Sequence, residues 1–197
     1  MTLKAVFDNT TVFKDIPVLG LLHSSKELVN SVSAAIMERN IRLFLFNVKN
    51  KEHTADELTE FMYDMGNANY DNGLGHFLSL LERTENINKA QVIFNLMSKR
   101  IWDKIDIKMF SRLSEIVNRT PTVDLAHLHE YINNPHYEVG ESESLVSTGL
   151  LDLPSTFGNG KDYKLSVLGE HLLVYGFGYE IEGYEPQSIT HYSLLKA

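Results

Sequence analysis

Eight histidines, 26 acidic residues and no cysteine set which chemistries this chain could carry. Without cysteine there is no disulfide, thiolate zinc site or thiol nucleophile, and that absence suits a reducing compartment. The densest histidines are His127 and His129 in "HLHE", with His136 nearby. On a helix, positions i and i+2 diverge by about 200°, so the two rings do not converge on one metal ion. "HEYIN" at 129–133 starts like the zinc-protease motif His-Glu-x-x-His, but Asn133 stands where the second histidine ligand is needed. The carboxylates Asp56, Glu57, Glu60 and Asp64 include i, i+4 pairs that could serve as an acid/base or metal pair. Acids in the first turns of a helix also complement its dipole, which needs no catalysis. "GLGHFL" and "GFGYEIEG" contain glycines without the spacing or the lysine of a phosphate-binding loop, and Ser111 and Ser155 sit in no nucleophile motif. The residue types therefore point away from an enzyme, and they call for no metal or cofactor.

Charge is the stronger signal. Residues 1–119 carry fifteen Lys/Arg and fifteen Asp/Glu, whereas residues 120–197 carry three Lys/Arg against eleven acids, so the whole net charge of −8 belongs to the C-terminal part. Glu138, Glu141, Glu143 and Asp152 are the candidate partner-binding residues there. The competing surface is basic: Lys99, Arg100, Lys104, Lys108, Arg112 and Arg119, interrupted by Asp103, Asp106 and Glu115. It offers an anion or nucleic-acid surface, or else ordinary solvated helix faces.

Helices must position these groups. Apolar residues at helical spacing (Leu28, Val32, Ala35, Ile36, Leu43) predict a helix from the serines at 24–25 through residue 50. Thr54 and Glu57 have capping-box spacing ahead of a helix that ends near Gly66. Leu74, Phe77, Leu78 and Leu81 form the inner face of the next helix, and Asn88 with Gln91 repeats the capping spacing before 89–102. Asp106 caps a helix whose core stripe is Met109, Phe110, Leu113, Ile116 and Val117. Pro121 marks the boundary between a helical bundle, 1–119, and a second domain, 120–197. There the sequence predicts a helix over 123–134, a short helix from Ser142 stopped by Gly149, two short strands joined by "STFGNGKD", and a helix from Ser166 to Gly176. A final half-buried strand is predicted over "FGYEIEGY". The apolar run at 16–22, "IPVLGLL", has Asp8 and Asp15 upstream and no small-residue cleavage site after it, so it reads as a buried anchor and not as a signal peptide. No stretch approaches the roughly 18 apolar residues of a membrane span. A soluble, cytoplasmic protein is expected, and a homo-oligomer is left open.

"LVSTGLL", a hairpin, then "YKLSVLGEHLL" resemble the winged helix-turn-helix over residues 122–175, with its aromatic-x-Leu-[Ser/Thr]-x-x-Gly ending. The resemblance implies a mainly α fold in which the bundle is closed by a winged-helix-like α/β module, and in DNA-binding members a recognition helix in the major groove. This chain departs from that pattern, since no lysine or arginine lies between Arg119 and Lys161. Phosphate neutralisation by such residues supplies non-specific affinity for nucleic acid, so the wing is not expected to bind it. "FKDIP" with "VLGLL", the helical middle and the Leu-Gly-bearing wing together resemble uncharacterised bacterial proteins of the prophage and phage-defence kind. The expectation is a non-enzymatic protein that contacts a macromolecular partner through its acidic face. The alternative is a DNA-binding transcriptional regulator that uses the basic residues 99–119.

Overall fold

The computed structural model describes residues 32–67, 73–134, 142–152 and 163–185. The apolar segment at 16–22, Leu28 and Pro135–Glu141 lie outside the described residues, as do the tip of the expected wing and the C-terminal twelve residues. Helix accounts for 74 % of the interpretable part and no strand occurs among the described residues, so the fold is mainly α. The helices are α1 (Val32–Asn50), α2 (Ala55–Asn67), α3 (Gly73–Arg83), α4 (Ile87–Ile101), α5 (Ile107–Arg119), α6 (Thr122–His127), α7 (Ser142–Ser147) and α8 (Val167–His171). A 3-10 turn, Leu128–Ile132, follows α6, and a π-helical turn, Leu172–Phe177, prolongs α8. Two compact units divide the chain, Met1–Ala90 and Gln91–Ala197, and the division falls within α4.

In the first unit α3 packs against both α1 and α2. The Phe77 ring takes Phe44 edge-on at 5.4 Å and Phe61 edge-on at 5.6 Å, a geometry that aligns ring edges with ring faces. α2 starts with the expected capping box: the Thr54 N–H donates to Glu57 Oε2 at 2.7 Å, and the Glu57 N–H to Thr54 Oγ1 at 3.2 Å. Those bonds to Thr54 hold the Glu57 carboxyl below its ordinary pKa. The α2–α3 crossing depends on a missing side chain, because a Cβ on Gly73 would lie 2.1 Å from the Met62 carbonyl oxygen. The end of α3 is closed from a distance. Asn40, 0 % exposed, donates to the Leu81 and Thr84 carbonyls at 2.7 Å each, and its Oδ1 accepts from Arg39. Arg39 also reaches the Thr84 and Glu85 carbonyls. The Arg39–Asn40 pair thus satisfies carbonyls that a helix C-terminus leaves without intrahelical donors.

α1 and α4 both end with paired 6→1 and 5→2 hydrogen bonds around a left-handed residue. Glu52 (φ 56°) fills that position after α1 and Asp103 (φ 53°) after α4. The cap of α4 differs from expectation: the Asn88 N–H donates to Asn86 Oδ1 at 2.8 Å, so Asn86 and not Asn88 begins the helix. In the second unit Asp106 accepts from the Met109 N–H at 2.7 Å, and the whole expected stripe of α5 is buried. The helix predicted over 123–134 is shorter and tightens into the 3-10 turn. Gly149 (φ 79°) stops α7 as expected, and Ser166 caps α8 by accepting from the Gly169 N–H.

Where two wing strands were expected, Leu151 and Leu165 form a single antiparallel bridge, with Asp152 N–H to Lys164 O at 2.9 Å and Ser166 N–H to Leu150 O at 3.0 Å. The strand expected over 177–184 is not formed. Phe177 belongs to the π-helical turn, and left-handed Gly178, not Gly176, ends it. Gly176 lies inside that turn because a Cβ there would sit 2.9 Å from both Val92 Cγ1 and Leu172 Cδ1. The Asn95 side-chain amide holds the Gly176 carbonyl at 2.8 Å.

Candidate functional site

The expected acidic residues fall unevenly. Glu138 and Glu141 lie outside the described residues. Glu143 is exposed in the first turn of α7, and Asp152 is exposed just after the Leu151 bridge. Asp152 acts on Glu170 of α8, a residue the sequence reading did not single out. Burial first, and the Asp152 charge second, raise the Glu170 carboxyl above its ordinary pKa. Among the described residues neither carboxylate forms an ion pair. Exposed Glu130, Glu180, Glu182 and Glu185 add to the same unit's negative charge.

Beneath Glu170 lies an aromatic group that spacing did not reveal. His171 is 5 % exposed and Tyr175, one turn on, 8 % exposed. Tyr184 returns from beyond the helix, and the three rings meet edge to face: His171–Tyr175 and His171–Tyr184 at 5.7 Å, Tyr175–Tyr184 at 6.1 Å. The His171 Nδ1 and the Tyr184 hydroxyl are buried without a hydrogen-bond partner among the described residues. Burial lowers the His171 pKa, and the Val167 backbone carbonyl works the other way. Burial also raises the Tyr184 phenol. The Tyr175 hydroxyl is close enough to push it further, though without the geometry of a hydrogen bond. Both rings are therefore neutral near pH 7. The i, i+4 spacing of His171 and Tyr175 was visible in the sequence; the approach of Tyr184 was not.

Two of the basic candidates have carboxylate neighbours. Arg100 meets Asp103 at 2.7 Å, and Arg119 lies 4.0 Å from Glu115. Lys99 Nζ sits 5.4 Å above the exposed Trp102 ring, a cation–π arrangement. Lys104, Lys108 and Arg112 are exposed. These residues are spread over the end of α4, the following turn and α5.

His127 ends α6 and His129 lies in the 3-10 turn that follows. His129 Nδ1–H donates to the Ala126 carbonyl at 2.8 Å, Nε2 approaches Glu130 at 3.4 Å, and the ring stacks on Tyr179 at 5.4 Å and 16°. His136 lies outside the described residues. Among the described residues no group of three or more His, Cys, Asp or Glu is arranged to hold a metal ion. No described helix is long and apolar enough to cross a membrane. No family model matches the chain, and no curated protein or solved structure matches it significantly.

Proposed function

We propose that this chain is a non-enzymatic binding protein whose acidic C-terminal unit engages a cationic protein partner. One observation carries the reading: Glu170, whose carboxyl burial and then the Asp152 charge raise above its ordinary pKa, and exposed Asp152 have no cation paired to either among the described residues. Such uncompensated charge costs the free protein self-repulsion, which a cationic partner relieves while the field steers its approach. Of the basic residues of 99–119, Arg100 and Arg119 already have acidic neighbours, which leaves Lys104, Lys108 and Arg112 for the competing reading. A winged-helix-like module used for packing and protein contact rests on the sequence resemblance over 122–175, since a single bridge and no strand occurs there among the described residues. The lack of cysteine supports a cytoplasmic setting, and the resemblance to prophage and phage-defence proteins supports a role in phage–host conflict.

The test compares an arginine-rich peptide with generic duplex DNA, each titrated with salt against the full chain. The peptide is expected to bind, to weaken as salt rises, and to lose binding when Glu138, Glu141, Glu143 and Asp152 are all replaced by lysine. DNA binding tighter than about micromolar at physiological salt, falling steeply with added salt, would instead establish a DNA-binding regulator working through residues 99–119.

A further inference from the structure

Residues 178–185 leave the helical body as an irregular strap. It begins at left-handed Gly178 and turns at left-handed Gly183, and a Cβ on either glycine would meet no atom within 4 Å beyond its chain neighbours. Among the described residues its links to the body are few. The Tyr179 N–H donates to the Leu173 carbonyl at 2.9 Å, the Tyr179 ring stacks on His129, and the Tyr184 ring lies edge-on to His171 and Tyr175. Its other backbone bond, Tyr184 N–H to Ile181 O, is internal. A short segment with so few buried attachments opens at low free-energy cost compared with the helices. Each end of the strap is thus fixed by a tyrosine lying on a histidine.

We propose that this strap is an acid-released latch, detached from the helical body when the buried His171 ring takes up a proton. The groups that face His171 are the Tyr175 ring from its own helix and the Tyr184 ring from the strap. Glu170 and Asp152 act on each other, and neither carboxylate offsets a charge on His171. A protonated ring would therefore be a buried cation that only the Val167 carbonyl favours, its Nδ1 without a hydrogen-bond partner among the described residues, which is costly in an aromatic setting. Lifting the Tyr184 ring returns it to water. Because burial places the latched pKa below that of the open form, the open form holds more protons in the window between the two. The latch is consequently closed above about pH 6.5 and loosens as pH falls toward the lowered value. Within that window opening increases about tenfold per pH unit. Release would carry Glu180, Glu182 and Glu185 away from the body, and it does not depend on the partner-binding reading.

Hydrogen exchange on the full chain, with rates corrected for intrinsic pH dependence, tests the latch at the Tyr179 amide. Its protection is expected to be constant above pH 7 and to fall between pH 7 and pH 5, by up to about tenfold per pH unit, while amides in the middle of α5 stay protected. His171→Phe keeps a ring in place without a proton site, and its strap protection should not change over that range. A titration of the His171 ring by NMR in the unaltered chain should give a pKa below 6.5, so a variant that fails to fold does not remove the test. Unchanged strap protection down to pH 5, an equal loss in His171→Phe, or a His171 pKa at or above 6.5 would each overturn the proposal.

Discussion

Asn40 offers the sharpest test of how the first unit is held together, because a change of one atom type reverses its chemistry. Its amide donates two bonds of 2.7 Å to the end of α3, and its oxygen accepts twice from Arg39. In Asn40→Ala those bonds go, but neither carbonyl is stranded. Thr84 O keeps Arg39 at 3.1 Å, and Leu81 O keeps the Thr84 N–H at 3.2 Å. At about 1 kcal/mol for each of the two neutral bonds and somewhat more for each of the two from the guanidinium, the loss should be about 4–5 kcal/mol. Asn40→Asp has nearly the same shape but puts a carboxylate oxygen against two carbonyl oxygens in a fully buried position. Arg39 offsets part of that charge, yet the two donors are gone, so at pH 7 this variant should be less stable than Asn40→Ala. Burial and the facing carbonyls would raise the folded pKa of the new carboxyl above its unfolded value of about 3.9. A raised carboxyl contributes stability at low pH and loses it as pH rises through the folded value. Asn40→Asp should therefore regain stability relative to the unaltered chain between pH 7 and pH 4.5. Urea unfolding followed by circular dichroism at both pH values measures this. An Asn40→Asp variant at least as stable as Asn40→Ala at pH 7, or one whose deficit ignores pH, would show that the donors to α3 do not matter.

Glu170→Gln should stabilise the second unit at pH 7, since it removes a carboxylate that burial and Asp152 both disfavour. The advantage should shrink on acidification and vanish below about pH 4.5, where the native carboxyl is itself neutral, as thermal melts across pH would register. Glu52→Gly should stabilise by about 1 kcal/mol in denaturant titrations, because glycine adopts the left-handed conformation that Glu52 holds at φ 56° without a steric penalty.

What the sequence made legible was local. Thr54 and Glu57, Asp106 and Met109, Ser166 and Gly169 each lie three residues apart, so their bonds form whenever the backbone enters a helix, whatever packs on it. The stripe of α5 was readable for a related reason, as a helix buries a face repeated at its own period. The negative charge of the C-terminal part could be counted directly. Tertiary structure decided the rest. Nothing in the spacing shows that Asn40 meets Leu81 and Thr84, 41 and 44 residues away. The contact of His171 with Tyr184 and the action of the Asp152 charge on Glu170 are equally silent in the sequence. The last helix ran past Gly176 to Gly178 because Val92 and Asn95 fit against the bare α-carbon and carbonyl of Gly176. The alternating "FGYEIEGY" formed no strand: Gly178 takes a left-handed turn, and Tyr179 and Tyr184 are drawn to separate histidines. A residue's spacing fixes only what it can do with neighbours on its own element. Where two distant surfaces meet depends on how all the side chains between them fill space, and that is a property of the folded chain.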